Sequence, residues 1–139
     1  MNQKLKIKEF KNETGEVFLE LGYDPEQNWG LTNWIGWVNE DNIKQGGVAM
    51  IELVKKYKIK NWLNDSRNNE GSWDGANDWI ANSWMPQVVV AGLKKYSVIL
   101  PKDLYSQLSA EFMADNAEQT GLQVVNWDSE EKAKAWLME

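Results

Sequence analysis

The sequence predicts an α/β fold built on one mixed sheet, and three observations support this. Residues 39–139 alternate short apolar runs with longer amphipathic stretches, which predicts parallel strands joined by right-handed helical crossovers. Residues 5–21 instead alternate apolar and polar side chains around a turn, which predicts an antiparallel hairpin. A length of 139 residues suits one domain. We therefore predict a single domain over residues 1–139 with the order β-β-β-α-β-α-β-α-β-α and helices packed on the sheet.

The first half of the chain supplies the antiparallel strands and the first helix. Strands are predicted over residues 5–10 and 17–21, and a third strand or extended edge segment over residues 31–38. The polar residues 39–42 are typical of a helix start, and an apolar stripe continues to Tyr57. Gly46-Gly47 weakens this helix and indicates either a bend or close packing against a neighbour.

The second half supplies the alternating strands and helices. A short strand over residues 59–64 is followed by a helix that Ser72 or Asp74 caps and that Pro86 ends or kinks, near Trp84 or Met85. The remaining elements are predicted as a strand over 96–100, a helix over 102–117 with Pro101 in its first turn, a strand over 122–127, and a last helix capped by Asp128 or Ser129 with Ala133, Trp136 and Leu137 on its buried face.

Composition and charge exclude several classes of function. The 21 acidic residues exceed the 15 basic ones, and an acidic domain without a basic stripe is poorly suited to nucleic acid. Cysteine and histidine are absent, which excludes disulfides, Cys/His metal sites and Ser-His-Asp triads. We expect no cofactor. No apolar run approaches the ~18 residues of a membrane span, and no signal-peptide pattern opens the chain, so we expect a cytoplasmic protein.

The closing stretch LQVVNWDSEEKAKAWL, with Trp127, Glu131, Ala133 and Trp136-Leu137, resembles the ending of the SpoIIAA-like branch of the STAS domain family. The middle stretches WLNDSRNNEGSW and WMPQVVVAGLKKYSVILP resemble uncharacterised bacterial members of the same group. The resemblance implies a STAS-type sheet with helices packed on it. It also implies a regulatory or protein-interaction role, and a relation in fold to the Sec14 lipid-binding domain.

STAS antagonists are phosphorylated on a serine that follows the central strand. Ser72 matches that serine in position and Ser66 matches it in local sequence, so both are candidate phosphoacceptors implied by the resemblance. Neither lies in the Ser-Ser-Gly motif of the family. The resemblance therefore does not establish a phosphorylation switch.

The polar residues after the predicted strand 59–64 are the candidate binding site. Asn64, Asp65, Arg67 and Asn68 follow the carboxyl end of a parallel strand, where open α/β sheets bind ligands. A helix start at Ser72 would add free N–H donors. The alternative is that these residues pair with one another and with the loop backbone, while Ser72 only caps the helix.

Tryptophan is unusually frequent, with nine residues in the chain. Trp73, Ala76, Ile80 and Trp84 have helical spacing and should face the sheet, with Trp79 beside this stripe. Trp73, Trp79 and Trp84 therefore belong to the candidate site. They form either core, the wall of a pocket, or a partner surface.

Two functional hypotheses follow from these candidates. The first is a non-enzymatic STAS-type module that binds a protein partner or a second copy of itself through the 64–72 loop and the next helix, and it predicts an exposed apolar patch around residues 79–90. The second is a carrier or sensor of an apolar or amphipathic ligand in the Sec14 manner. It predicts a cavity lined by Trp and Met with Asn64, Asp65 and Arg67 at its mouth. A carboxylate-based enzyme and a carbohydrate-binding module are weaker alternatives.

Overall fold

The computed structural model of the protein describes residues 4–139 except for the side chain of Tyr105, and the described residues form eight strands and five helices. The strands are β1 (Leu5–Lys11), β2 (Val17–Asp24), β3 (Trp29–Trp34), β4 (Gly36–Trp37), β5 (Asn61–Asp65), β6 (Asn69–Glu70), β7 (Lys95–Ile99) and β8 (Gln123–Trp127). The helices are α1 (Glu40–Tyr57), α2 (Asp74–Trp79), α3 (Met85–Ala91), α4 (Leu104–Ala117) and α5 (Glu130–Leu137). A π-helical turn, Ile80–Trp84, joins α2 to α3, and a 3-10 turn, Glu118–Thr120, follows α4.

Six of the strands form one mixed sheet in the order β1-β2-β3-β5-β7-β8. The pairs β1-β2 and β2-β3 are antiparallel, whereas β3-β5, β5-β7 and β7-β8 are parallel. The α/β class and the mixed sheet predicted from the sequence are therefore confirmed. The two remaining strands, β4 and β6, form a short parallel pair beyond the carboxyl ends of β3 and β5.

The helices divide unequally between the two faces of the sheet. The parallel strands β3, β5, β7 and β8 follow one another in a single direction along the sheet, connected through α1, α2–α3 and α4. Connections between parallel strands are right-handed. These helices therefore cover the same face of the sheet. We call it the cavity face; its core includes Trp62, Met85 and Val98. The opposite face, which we call the α5 face, packs α5 against a smaller cluster of Trp29, Leu63, Ile99, Ala133 and Leu137.

Several predicted helix signals are confirmed. The Asn39 side chain accepts from the Asn42 backbone N–H and the Asn42 side chain accepts from the Asn39 N–H, which forms a capping box at the start of α1. Ser129 caps α5 by accepting from the Lys132 N–H at 3.2 Å. Gly46-Gly47 lies inside α1 at a close approach to other side chains, so the packing interpretation of these glycines is confirmed.

Of the two predicted effects of Pro86, an end or a kink of the second helix, the end near Trp84 or Met85 is wrong. The helical segment continues through Pro86 to Ala91, and it widens just before the proline into the π-helical turn 80–84. Proline has no backbone N–H and cannot donate a hydrogen bond to the preceding turn. The wider π-helical turn accommodates this loss, so the helix continues beyond the proline. The start is also different, because Trp73 occupies the N-cap position and makes no side-chain cap.

Two other boundaries differ from the prediction. The segment predicted as one strand over 31–38 divides at Ile35 into β3 and the short strand β4. Asp103, and not Pro101, begins the helix that follows β7, since its carboxylate accepts from the Ser106 N–H and Pro101 lies outside α4.

Among residues 4–139, no helix is both long enough and apolar enough to cross a membrane.

Candidate functional site

A cavity of about 60 Å³ lies between the cavity face of the sheet and the helices α1, α2 and α4. It lies at the carboxyl ends of parallel strands, where this architecture places ligand sites. Its aromatic lining is Trp34, Trp73, Trp79, Trp84 and Tyr96. Its aliphatic and thioether lining is Val38, Ile43, Met50, Ile80 and Met113. Gly47, Asn64, Ser66 and Asn69 complete the lining, so no charged side chain among the described residues borders the cavity.

The glycine pair of α1 makes room for the indole rings. A Cβ atom at Gly47 would lie 2.7 Å from Trp79 Cη2 and 2.9 Å from Trp84 Cδ1, which is closer than such contacts allow. The Gly47 carbonyl oxygen also accepts the Trp84 indole N–H at 3.1 Å. The glycine that lowers helix propensity therefore sets the position of two cavity walls.

A buried hydrogen-bond network centred on Asn64 fixes the floor of the cavity. Asn64 Oδ1 accepts from the Thr32 hydroxyl at 2.5 Å and from the Trp34 indole N–H at 2.9 Å. The Trp62 indole N–H donates to Thr32 Oγ1 at 3.0 Å, and Asn64 Nδ2 donates to Ser66 Oγ at 2.9 Å. Because the carbonyl oxygen of Asn64 already accepts two donors, its role is to orient Trp34 and Ser66.

Asn69 also borders the cavity, and one of its side-chain atoms has no hydrogen-bond partner among the described residues. The β4–β6 pairing brings Asn69 beside Gly36, and Asn69 Nδ2 donates to the Gly36 carbonyl at 3.2 Å. Asn69 Oδ1 is buried and has no hydrogen-bond partner among residues 4–139. Asn77 and Asn126 also have unpartnered buried oxygens, but neither side chain borders the cavity.

Tyr96 is titratable, and no other described residue of the lining is acidic, basic or a tyrosine. Burial raises the pKa of its phenol, and the nearby Thr32 hydroxyl opposes this effect weakly. The ring packs edge-on against Trp84 with the centroids 5.3 Å apart. Tyr96 is therefore neutral at physiological pH, and the polar groups of the cavity are neutral amides and hydroxyls that bind by hydrogen bonds.

The charged side chains of Asp65 and Arg67 in the 64–72 loop lie on the α5 face and not at the cavity. Arg67 donates to both carboxylate oxygens of Asp65, at 3.0 and 2.8 Å, and to Glu130 at 2.7 Å. Hydrogen bonds from Lys134 and then from Arg67 lower the pKa of Glu130, and the Asp65 carboxylate raises the pKa of Arg67. These side chains are partly exposed and neutralise one another. Asp65 and Glu130 border an open groove of about 330 Å³ there.

The structure divides the predicted site residues between the two faces. Four of them line the cavity: Asn64, Trp73, Trp79 and Trp84. Asp65 and Arg67 do not, because strand neighbours point to opposite faces and Asp65 follows Asn64 directly. Asn68 is exposed and donates to Asn33 Oδ1 at 3.3 Å.

The two candidate phosphoacceptors differ in burial. Ser66 is 2% exposed and accepts from Asn64, whereas Ser72 is exposed and contacts the Ser109 hydroxyl at 3.1 Å. Ser72 Oγ also accepts from the Asp74 backbone N–H at 3.1 Å. Ser66 thus belongs to the cavity lining and Ser72 to the contact between α2 and α4.

Sequence reasoning missed most of the remaining lining, including Trp34, Met50, Asn69, Tyr96 and Met113. These residues lie on five separate elements of the chain. They become neighbours only because the strand order of the sheet brings those elements together. One signal was available: Gly46-Gly47 indicated a close approach to a neighbour, and the indole rings of Trp34, Trp79 and Trp84 do lie against these two glycines. No family model, curated protein or solved structure matches the chain.

Proposed function

We propose that this chain is a STAS-type module that binds a small uncharged organic molecule in the Trp-lined cavity and acts as a sensor or carrier of it. The observation that supports this proposal is the cavity itself, at the carboxyl ends of β3 and β5 with four indoles in its wall. Densely packed interiors contain few spaces larger than one water molecule, so a space of about 60 Å³ at this position requires an explanation.

The volume limits the size of the ligand. One water molecule needs roughly 10–15 Å³. The space of about 60 Å³, which is partly open to solvent, therefore takes in about four to six non-hydrogen atoms of a ligand. A lipid chain of the Sec14 kind is far larger than that. The proposed ligand is therefore a compact molecule, and the apolar lining favours one with a short hydrocarbon part.

Native mass spectrometry of protein purified gently from its own cells is the first test. We expect a mass excess over the bare chain that disappears on denaturation. Met113 borders the cavity and is 7% exposed, so Met113→Phe should fill part of the space and reduce the bound fraction. Met138, which is 60% exposed, supplies the control Met138→Phe, and its bound fraction should stay unchanged.

Two results together would refute the proposal. One is a bare chain mass for the wild-type protein. The other is unchanged NMR signals of the indole N–H groups when small uncharged probes are added at high concentration.

A different observation supports partner binding as a second candidate function. Leu104, Leu108 and Phe112 recur every four residues on α4 and are 50–64% exposed, which gives this helix an apolar stripe facing solvent. The segment 79–90, by contrast, exposes Val90 alone among its large apolar residues. Partner or self-association would therefore use α4, and Leu108→Glu should abolish any dimer seen by light scattering.

A further inference from the structure

Helix α4 has apolar side chains on two opposite faces. Met113 and Ala117 lie on its inner face and belong to the core of the cavity face. Leu104, Leu108 and Phe112, which we call the α4 stripe, recur every four residues and lie roughly half a turn away from that buried pair. They are 50–64% exposed, so no segment within residues 4–139 covers them. A helix that is apolar on both faces is typical of a position between two layers of protein.

The face of α4 that bears the stripe also carries two carboxylates. Glu111 and Asp115 are exposed, and each lies three residues after a member of the α4 stripe, so both share its face. Neither carboxylate has an ion-pair partner among the described residues. Both are therefore available to a cation supplied from outside the chain.

The surroundings of the α4 stripe are acidic. Residues 103–131 contain no Lys or Arg, and this range includes β8 and the 3-10 turn that α4 contacts. The helix α2 and the π-helical turn 80–84 also contact α4, and neither contains a basic residue, whereas α2 carries Asp74 and Asp78. Lys102, just before the helix, is the nearest basic residue along the chain. The stripe thus lies in a surface dominated by negative charge.

This combination of apolar and acidic groups excludes several occupants. A second copy would place the carboxylates of two α4 helices against each other, and like charges oppose association. Nucleic acid and anionic membranes are repelled for the same reason. A wholly apolar segment would take water from Glu111 and Asp115 without supplying a cation. The remaining occupant is apolar along its centre and positively charged beside it.

We infer, on the basis of the second candidate function, that α4 docks a basic amphipathic helix of a partner protein. The apolar side chains of that helix pack along the ridge formed by Leu104, Leu108 and Phe112, and its Lys or Arg residues pair with Glu111 and Asp115. The stripe spans about 12 Å along α4, so roughly two to three turns of the partner helix cover it. An interface of this size and charge gives weak, salt-dependent binding.

Three synthetic peptides of about 18 residues, or roughly five helical turns, separate the parts of this inference. The first places Leu on one helical face and Lys on the other, the second replaces every Lys by Glu, and the third scrambles the first so that no apolar face forms. Fluorescence anisotropy follows the binding of each labelled peptide to the full chain. We expect saturable binding of the first, binding of the third at least tenfold weaker, and no binding of the second. At 1 M salt, where charges are screened beyond about 3 Å, binding of the first should weaken at least tenfold.

Two variants with matched controls assign the contacts to α4. Leu108→Ser should weaken the first peptide about tenfold, whereas Val90→Ser changes an apolar residue of α3 that is 88% exposed and should bind as the wild type does. Glu111→Lys should also weaken binding about tenfold, and Glu52→Lys, at an exposed acid of α1, is its control. All four positions are exposed, so these variants should keep the fold.

The outcomes distinguish this inference from the second candidate function. Equal binding of the ordered and the scrambled peptide would overturn docking on an apolar stripe. Equal losses for Glu111→Lys and Glu52→Lys would overturn the role of α4. A wild-type dimer that Leu108→Glu abolishes would overturn the choice of a basic partner and support self-association through the same helix. A monomeric chain that binds none of the three peptides would count against both the inference and the second candidate function.

Discussion

The cavity face and the α5 face of the sheet differ in the charge and the exposure of their polar side chains. On the cavity face, four helices cover the sheet, and the polar side chains Thr32, Asn64 and Ser66 are neutral and at most 4% exposed. On the α5 face, one helix covers part of the sheet, and Arg67, Asp65 and Glu130 form ion pairs in contact with solvent. Among these six residues, the neutral side chains are the buried ones and the charged side chains remain in contact with water, as expected from the cost of desolvating an ion.

One strand supplies both kinds of group. Asn64 and Asp65 are consecutive in β5, yet the pleat sends Asn64 to the cavity face and Asp65 to the α5 face. A loop that looks like a single polar cluster in the sequence therefore serves two unrelated environments. The neutral half borders the cavity, and the charged half fastens α5 to the sheet through Glu130.

Removal of a core indole should have the largest effect and should differ between the faces. Trp62 is fully buried on the cavity face, and Trp62→Ala should lower the free energy of unfolding by about 3–5 kcal/mol. Trp136 is half-buried on the α5 face, so Trp136→Ala should cost less than half as much. Urea denaturation measures both, and equal losses would contradict the contrast.

Removal of Asn64 should cost about 2–4 kcal/mol, because Asn64→Ala leaves the Thr32 hydroxyl and the Trp34 indole N–H without their acceptor. Asn61 is the matched control on the same strand, half-buried and bonded to the Leu137 carbonyl at 3.2 Å on the α5 face. Asn61→Ala should cost no more than about 1 kcal/mol in the same denaturation experiment. A similar cost for both would show that the buried network is unimportant.

Gly47→Ala tests the close approach that shapes the cavity. The added methyl group would press on Trp79 and Trp84, and overpacking of this kind costs about 1–3 kcal/mol. Gly75→Ala is the control, since nothing lies within 4 Å of its Cβ position and alanine favours a helix, so it should stabilise by up to about 1 kcal/mol. The midpoint temperature of thermal unfolding should therefore fall for Gly47→Ala and rise for Gly75→Ala.

Arg67→Met should have the smallest effect, at most about 1 kcal/mol, because solvent screens these partly exposed ion pairs. The pKa of Glu130 is lower in the folded chain than its ordinary value of 4.5. The stability that the ionised Glu130 contributes to the folded chain is therefore fully present above pH 4.5. It is lost as the pH falls through the lower folded pKa. The stability difference between Arg67→Met and wild type should shrink in that acidic range, and a difference constant with pH would argue against this pairing.

The sequence was sufficient for the order of the six strands of the main sheet and of the helices between them, and for caps that depend on neighbouring residues, such as Asn39 and Ser129. The short strands β4 and β6 were not predicted. It was insufficient where distant segments decide the outcome. The unpartnered oxygen of Asn69 exists only because β6 pairs with β4, and the helix continues past Pro86 only because a π-helical turn precedes it. The assignment of Asp65 to the site was avoidable, since strand alternation already separates it from Asn64.

The strand order of the sheet has a consequence for how the chain folds. Each strand of the six-stranded sheet after β1 pairs with a strand that precedes it in the chain, so the sheet is able to grow from one edge without waiting for a distant segment. During synthesis the cavity face can close as α1 to α4 emerge in turn. The α5 face closes last, and its Leu63 and Ile99 stay uncovered until residues 130–137 have been added. Nascent chains that stop before α5 would therefore expose that apolar cluster to chaperones and proteases.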